Sequence, residues 1–153
     1  MWTASGEAKH RYNYYYLNIN STIMNISTTQ ALAILDKGLA KAAEIKVLVN
    51  IAVLDTTGHL KGFIGMDNAF LATIDIAIGK AKTSMLYNLP SHEVGEFLKP
   101  ESKMYGITAT NGGLLGFKGG VPIRDGDRII GFIGVSGGTQ EQDFEVATAA
   151  IIF

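Results

Sequence analysis

The sequence predicts an α+β fold in which a five-stranded antiparallel sheet is flanked by helices, in the order α-β-β-α-α-β-β-β-α. Three observations support this prediction. Apolar residues recur at the 3.6-residue helical spacing in three stretches, β-branched runs come in pairs separated by short polar turns, and an Asp-Gly pair separates two of those runs. Strands joined by hairpins pair antiparallel, which argues against a doubly wound parallel sheet.

The first helix is expected over residues 28–45. Ser27 and Gln30 have the spacing of a capping box, and the apolar residues that follow share one helical face: Leu32, Leu35, Leu39 and Ala42. A β-branched run over 47–54 and an alternating run over 60–66 come next, separated by a short polar turn. These two runs predict a β-hairpin.

The second helix has the strongest helical period in the chain. Asp67 or Asn68 is expected to cap its start, and its apolar stripe consists of Phe70, Leu71, Ile74, Ala77, Ile78, Ala81 and Met85. Pro90 ends this segment, because proline cannot continue a helix, and a shorter amphipathic helix is expected over residues 91–98.

A glycine-rich stretch and a hairpin follow. Residues 106–120 contain six glycines, which predict loop with a strand and not helix. Asp125-Gly126 lies between the runs 121–124 and 127–135. This pair predicts a hairpin with a type I′ turn, whose two central residues take positive φ.

A second capping box opens the closing helix. Thr139 and Gln142 have the required spacing, and the apolar face of the helix is formed by Phe144, Ala147, Ala150 and Ile151. With this helix the chain completes a single domain over residues 24–153. A chain of 153 residues is long enough for one ordinary hydrophobic core.

The first 23 residues differ in composition from the domain. They contain the only tryptophan, Trp2, and four of the six tyrosines, without a helical or strand period. We interpret residues 1–23 as a disordered or added leader, or as the product of a translation start upstream of Met24.

Composition excludes several classes of function. The net charge is −1, and the absence of a basic run argues against nucleic-acid partners and against a basic membrane-surface helix. The chain has no cysteine, which excludes disulfides, thiolate metal sites and a cysteine nucleophile. It has no apolar span of about 18 residues and no secretory signal. We therefore expect no membrane partner and a cytoplasmic location.

Standard catalytic motifs are missing. The P-loop and the Gly-x-Gly-x-x-Gly motif do not occur, and Ser136 is one residue out of register for a Gly-x-Ser-x-Gly nucleophile elbow. His59 and His92 lack the second histidine of a helical zinc site. Haem iron needs only one axial imidazole from the protein, so either histidine is a candidate ligand. The alternatives are an ordinary hairpin residue for His59 and an ordinary surface residue for His92, and for His92 the surface interpretation is favoured.

Glycine placement is the informative feature. Gly119 and Gly120 precede a strand, and Gly137 and Gly138 precede the closing helix, where free backbone N–H groups suit a carboxylate or phosphate. The alternative is that these glycines serve only bulges and tight helix–sheet packing. Asp67 likewise has two interpretations, as a helix cap or as a site residue that faces Lys80 or Lys82.

The resemblance of this chain to a known family rests on five short segments. They are 51–55, Met66-Asp67-Asn68-Ala69, Lys80-Ala81-Lys82-Thr83, 119–123 and 130–138. In their order and spacing they resemble the GlcG/HbpS-like haem-degrading family, which includes the C-terminal domain of PduO-type proteins. The resemblance covers about residues 25–153. It implies a profilin-like arrangement of helices on an antiparallel sheet, a homo-oligomer that is a dimer or a larger even-numbered assembly, and haem as a possible cofactor. The first helix, where one branch of the family places an axial histidine, contains none here.

Three functional hypotheses follow. The first is an oligomeric binding module for haem, a related tetrapyrrole or a small carboxylated metabolite, with a site formed by Met66, Asp67, Lys80, Gly119, Gly120, Ser136, Gly137 and Gly138. The second is an enzyme of haem or glycolate/diol-type metabolism that uses Asp67, Lys80 or His92 for proton transfer. The third is a structural or assembly partner of a larger protein.

Overall fold

A computed structural model describes residues 25–151, so the predictions for the leader and for a start at Met24 lie outside the described residues. The helices and strands are α1 Thr28–Glu44, β1 Asn50–Asp55, β2 Leu60–Gly65, α2 Thr73–Tyr87, α3 Ser91–Phe97, a 3-10 helix Tyr105–Gly112, β3 Gly120–Asp125, β4 Arg128–Ser136 and α4 Gln140–Ala150. The four α-helices follow the predicted order, but the prediction that residues 106–120 contain no helix is wrong, because the 3-10 helix ends at Gly112.

The described part of the chain forms a four-stranded sheet, in the order β2-β1-β4-β3, with antiparallel neighbours. The prediction of an antiparallel sheet flanked by helices is confirmed, but the fifth strand predicted within residues 106–120 is wrong. Asn111, Gly112 and Gly113 have φ values of 55°, 79° and 99°. Three successive left-handed residues turn the chain sharply and are incompatible with an extended strand.

Helices cover both faces of the sheet. All six residues of β1 are buried, and they alternate between the two faces. Ile51 and Val53 belong to the larger core, which also contains residues of α1 and α4. Leu54 packs with Phe132 and Ala81 of α2 in a smaller cluster on the opposite face. The central strands are therefore enclosed between α2 on one side and α1 with α4 on the other.

Both predicted capping boxes are confirmed. The Ser27 hydroxyl accepts from the Gln30 N–H at 3.1 Å, and the Gln30 side chain accepts from the Ser27 N–H at 2.9 Å. Thr139 and Gln142 make the same reciprocal pair at the start of α4. These bonds satisfy backbone donors that have no partner within the helix, and they explain why both helices begin where the sequence indicates.

The start of α2 differs from the prediction. The helix begins at Thr73, Ala72 is in the N-cap position, and no side chain caps the helix. The expected cap by Asp67 or Asn68 is therefore wrong. Asn68 has a φ of 65°, which places it in the left-handed region and interrupts any helix that would run through it.

The predicted hairpin between β3 and β4 is present, but its turn is shifted by one residue. Asp125 pairs with Arg128, so Gly126 and Asp127 are the central residues. Gly126 has a φ of 59°, and Asp127 is not among the residues with positive φ. A glycine with positive φ at the first central position is typical of a type II′ turn, not of the predicted type I′ turn.

None of the helices between residues 25 and 151 is both long enough and apolar enough to cross a bilayer.

The turn between β1 and β2 is organised by a buried carboxylate. Asp55 Oδ1 accepts from the Thr57 N–H at 2.9 Å, from the Thr57 hydroxyl at 2.7 Å and from the His59 N–H at 3.0 Å. Burial raises the pKa of Asp55, but these hydrogen bonds outweigh burial and hold the pKa below its ordinary value. The carboxylate therefore stabilises the fold in its ionised form.

Replacement of this carboxylate tests its contribution. We expect Asp55→Ala to lower the free energy of unfolding by about 1–3 kcal/mol, because three donors lose a charged acceptor. Because the folded pKa is depressed, this stabilisation is present above the unfolded pKa and is lost as the pH falls through the folded pKa. Urea unfolding between pH 7 and pH 2 should show a smaller acid-dependent loss for Asp55→Asn than for the wild type. Equal slopes would contradict this account.

Candidate functional site

A buried ion pair joins α2 to α4. Lys80 Nζ lies 2.7 Å from Asp143 Oδ2 and also donates to the Val135 carbonyl oxygen at 2.9 Å. The other carboxylate oxygen, Oδ1, accepts from the Gly138 N–H at 2.9 Å. Lys80 is 2% exposed and Asp143 is 3% exposed. The chain itself therefore supplies these polar partners, and solvent contributes almost nothing.

Burial acts on the two groups in opposite directions. Loss of solvent lowers the pKa of the Lys80 ammonium and raises the pKa of the Asp143 carboxyl, because a low-dielectric environment disfavours each charged form. The hydrogen bond and the Coulomb attraction between the two groups oppose both shifts. Each group is tolerated only because the other is present.

Four of the predicted site residues, Gly119, Gly120, Gly137 and Gly138, form what we call the glycine seam around this pair. A Cβ at Gly119 would lie 2.5 Å from the Val135 carbonyl oxygen and 3.2 Å from Lys80 Nζ. A Cβ at Gly137 would collide with the Leu48 carbonyl oxygen. Gly119 and Gly137 also have φ values of 118° and 150°. Glycine is required at these positions because backbone and side chains of the same chain approach closely.

Ser91 closes the seam on the α3 side. Its hydroxyl oxygen accepts from the Gly120 N–H at 2.9 Å, and the hydroxyl group bonds the Phe117 carbonyl oxygen. Ser91 is fully buried. At the other end of the seam Ser136, also buried, follows Val135 at the end of β4 and pairs with Asn50 of β1. The structure thus brings six of the eight predicted site residues to one place: Lys80, Gly119, Gly120, Ser136, Gly137 and Gly138.

Met66 and Asp67 lie apart from this seam, in the 66–72 loop that joins β2 to α2. Met66 is half-buried and packs against the larger core. Asp67 is exposed, and it takes part in none of the ion pairs formed by residues 25–151. The nitrogen of Lys80 is bonded to Asp143, so the predicted pairing of Asp67 with Lys80 is not formed.

Sequence reasoning missed the residue that positions this loop. Asn50 Nδ2 donates to the Phe70 carbonyl oxygen at 3.2 Å and to Thr73 Oγ1 at 2.7 Å. The amide is buried and fixes the backbone that presents Phe70 and Leu71, which are 73% and 82% exposed. The signal available in the sequence was a single asparagine at the start of an apolar strand.

The two histidines of the described chain have different surroundings. The side chain of His59 is 80% exposed, and its Nδ1 lies 2.6 Å from Thr57 Oγ1. His92 packs its ring edge-on against Phe144, with centroids 5.1 Å apart, and its Nδ1 is buried without a hydrogen-bond partner. The described residues contain no cluster of three His, Asp or Glu side chains that could hold a metal ion.

A half-open groove of about 450 Å³ lies away from all of these residues. It is lined by the start of α1, the β3–β4 turn and the end of α4, through Gln30, Arg124, Asp125, Gly126 and Ile151. It contains none of the eight predicted ligand residues.

Comparison with known proteins agrees with this architecture. A family model described as haem degrading protein HbpS-like matches residues 26–152. An uncharacterised 15.0 kDa protein from the dhaT-dhaS intergenic region of Citrobacter freundii is 35% identical over 136 residues, which are 88% of this chain and 96% of that protein.

Two solved structures are also similar. The Klebsiella pneumoniae protein ORFY has a TM-score of 0.82 and 32% identity, covering 86% of this chain and 92% of that one. A structure described as a PduOC:heme complex has a TM-score of 0.78 and 26% identity, covering 83% of this chain and 93% of that one.

The buried ion pair makes a strong prediction about stability. We expect Lys80→Met to lower the free energy of unfolding by about 3–5 kcal/mol, because it leaves the Asp143 carboxylate buried without a cation. The double variant Lys80→Met/Asp143→Leu should recover most of this loss. Urea unfolding of both single variants and the double variant measures the coupling. Lys41→Met, which breaks solvent-accessible pairs with Glu44 and Glu145, is the matched control and should change stability little. Strictly additive losses would rule out the coupling.

Proposed function

The chain belongs to the HbpS-like family of haem-degrading proteins, and from this premise we propose that it is a binding module for haem or a related tetrapyrrole. One relative of known structure, PduOC, is described as a haem complex. The observation that carries the proposal for this chain is the hydrogen-bond arrangement of His59, which leaves one ring nitrogen available to a metal.

A short hydrogen-bond chain sets the tautomer of His59. Asp55 is ionised at neutral pH because its pKa is lowered, so Asp55 Oδ1 only accepts, and the Thr57 hydroxyl hydrogen points to it over 2.7 Å. Thr57 Oγ1 then has only lone pairs to offer to His59 Nδ1, which lies 2.6 Å away. In the neutral imidazole Nδ1 therefore carries the proton, which leaves the lone pair on Nε2. Metal-binding histidines use the same arrangement, in which the second nitrogen donates to an orienting acceptor.

This arrangement fits haem better than a bare metal ion. The porphyrin supplies four of the iron ligands, so one protein nitrogen is sufficient, and a cluster of protein ligands is not needed. The His59 side chain is 80% exposed, and the adjacent Leu60 is 52% exposed, so a flat apolar ligand has access to both. Bound haem would supply a redox-active iron. The chain supplies the axial nitrogen, its orientation and nearby apolar surface.

His92 is the less suitable of the two candidates. Its Nδ1 is buried and has no acceptor, so no group in the described chain fixes the tautomer that a metal-bound Nε2 needs. The glycine seam is also unfavourable for a small carboxylated metabolite, since the Gly138 N–H already donates to Asp143. We therefore place tetrapyrrole binding at the β1–β2 turn.

A haem titration tests this proposal. Addition of ferric haem to the purified full-length chain should produce the intense, shifted Soret band of ligated haem, with saturation at one haem per chain. We expect His59→Ala to abolish the shift, and Thr57→Val to weaken haem affinity about 10–100-fold because the orienting acceptor is lost. Absorption titration and electron paramagnetic resonance measure both effects.

His92→Ala and His10→Ala are the matched controls and should retain the wild-type spectrum. Circular dichroism should show that all variants keep the fold. A wild-type chain that shows no Soret shift would refute haem binding, and loss of the shift in His92→Ala alone would refute the assignment to His59.

A further inference from the structure

An exposed asparagine is followed by two glycines at the sharp turn where the 3-10 helix ends. Asn111 precedes Gly112 and Gly113, and this is the one Asn-Gly pair in the chain. All three residues are exposed and have positive φ. Asparagine is a chemically labile residue, because the nitrogen of the following peptide bond can attack its side-chain amide. This attack forms a five-membered ring and releases ammonia.

The surroundings of the turn leave room for this ring. Among the described residues outside the turn, none has an atom within 4 Å of a Cβ built at Gly113. Asn111 Nδ2 donates to the Thr110 hydroxyl oxygen over 3.2 Å, at the long end of the usual range, so this bond restrains the side chain weakly. The ring closes when rotation of the Asn111 backbone brings the side chain over the next nitrogen. Gly112 permits this rotation and has no side chain that would block the approach.

Two other asparagines show that the backbone conformation alone does not produce such a site. Asn68 and Asn88 are also exposed and have φ values of 65° and 56°, close to the 55° of Asn111. They are followed by Ala69 and Leu89, whose side chains crowd the attacking nitrogen. Asn111 differs from them in the glycine that follows it, and the two provide an internal reference for its reactivity.

Lys82 of α2 supplies a cation at the reacting peptide bond. Its Nζ donates to the Asn111 carbonyl oxygen at 2.5 Å. This oxygen belongs to the peptide bond whose nitrogen, on Gly112, makes the attack, and the nitrogen reacts after it loses its proton. An ammonium group at the carbonyl oxygen stabilises the negative charge that then spreads over the amide, because it is placed where that charge develops. The contact therefore activates the Gly112 nitrogen.

We propose that Asn111 is a site of deamidation that Lys82 promotes. The Gly112 nitrogen gives its proton to water and forms a bond to Asn111 Cγ. The bond between Cγ and Nδ2 breaks, and Nδ2 leaves as ammonia with a proton that water returns. A water molecule then adds to either carbonyl carbon of the ring, which opens to aspartate or isoaspartate. The reaction consumes water and releases ammonia, and it needs no oxidant or reductant.

The product carries a new carboxylate on the residue that Lys82 binds. Replacement of the neutral amide by a carboxylate lowers the formal net charge of the chain by one unit from −1. Aspartate leaves the backbone unchanged, whereas isoaspartate lengthens it by a methylene and displaces the carbonyl oxygen that Lys82 contacts. The modification therefore alters the charged surface beside α2 without an enzyme. It does not depend on haem binding, and its test uses the haem-free full-length chain.

Timed incubation of the purified chain tests the site. Peptide mapping by mass spectrometry should show that Asn111 is converted well before Asn68 and Asn88. Both aspartate and isoaspartate should be found at this position, because the ring opens at either carbonyl. The rate should rise with pH from neutral to mildly alkaline solution, since the attacking nitrogen must lose a proton.

Variants of Lys82 test the activation. We expect Lys82→Met to slow the conversion of Asn111 about tenfold, because a charge-assisted hydrogen bond to the developing charge is lost. Lys82→Arg keeps a cationic donor and should retain most of the rate. Lys118→Met removes a surface cation that pairs with Glu141 and is the matched control, with the wild-type rate expected. In concentrated urea Lys82→Met and the wild type should react equally, and circular dichroism checks the fold without urea.

Three results would overturn the proposal. The first is a folded wild-type chain in which Asn111 is not converted ahead of Asn68 and Asn88. The second is a folded Lys82→Met variant that reacts as fast as the wild type. The third is a difference between these two chains that persists in urea, because it would not arise from the contact in the folded structure.

Discussion

The contact between Lys80 and Asp143 constrains the rest of the structure. A lysine from the helix on one side of the sheet and an aspartate from the helix on the other side meet at 2.7 Å, with almost no access to solvent. Two charges removed from water are tolerated only when both are paired and hydrogen-bonded, so the positions of α2, α4 and the end of β4 depend on one another. The surrounding glycines are a consequence, because side chains there would separate the backbones that bring the two charges together.

A closed centre of this kind is the reason why we propose ligand binding at the periphery. The glycine seam is filled by the chain's own atoms, and its most suitable anion donor, the Gly138 N–H, is already bonded to Asp143. The side chain best prepared for a metal is at the exposed β1–β2 turn, where Asp55 and Thr57 orient His59. In this proposal the buried ion pair stabilises the fold, and the exposed turn presents the His59 nitrogen that binds the metal.

The β1–β2 hairpin also differs from the opposite edge of the sheet. No strand within residues 25–151 pairs with the outer edge of β2, and the loop after it presents apolar side chains on a backbone that Asn50 holds in place. Large exposed apolar side chains on an ordered loop are typical of interaction surfaces. This hairpin therefore carries the proposed haem ligand next to exposed apolar surface, whereas β3 at the opposite edge carries Pro122 and is buried at residues 120–123.

Local signals determined much of this structure from the sequence alone. Both capping boxes, the paired β-branched runs and the Asp-Gly hairpin act over a few neighbouring residues, so they could be recognised without the fold, and they locate α1, α4 and the two hairpins. Tertiary structure decided the features that join distant parts of the chain. Acidic residues are common in the first turn of a helix, so Asp143 at the start of α4 does not stand out in the sequence. Only the tertiary structure shows that it pairs with Lys80, 63 residues away. The turn at Asn111, which replaces the expected fifth strand, and the hydrogen bonds of Asn50 were also visible only in the structure. Burial and long-range hydrogen bonds produce no periodic pattern in the sequence, so they could not be predicted from it.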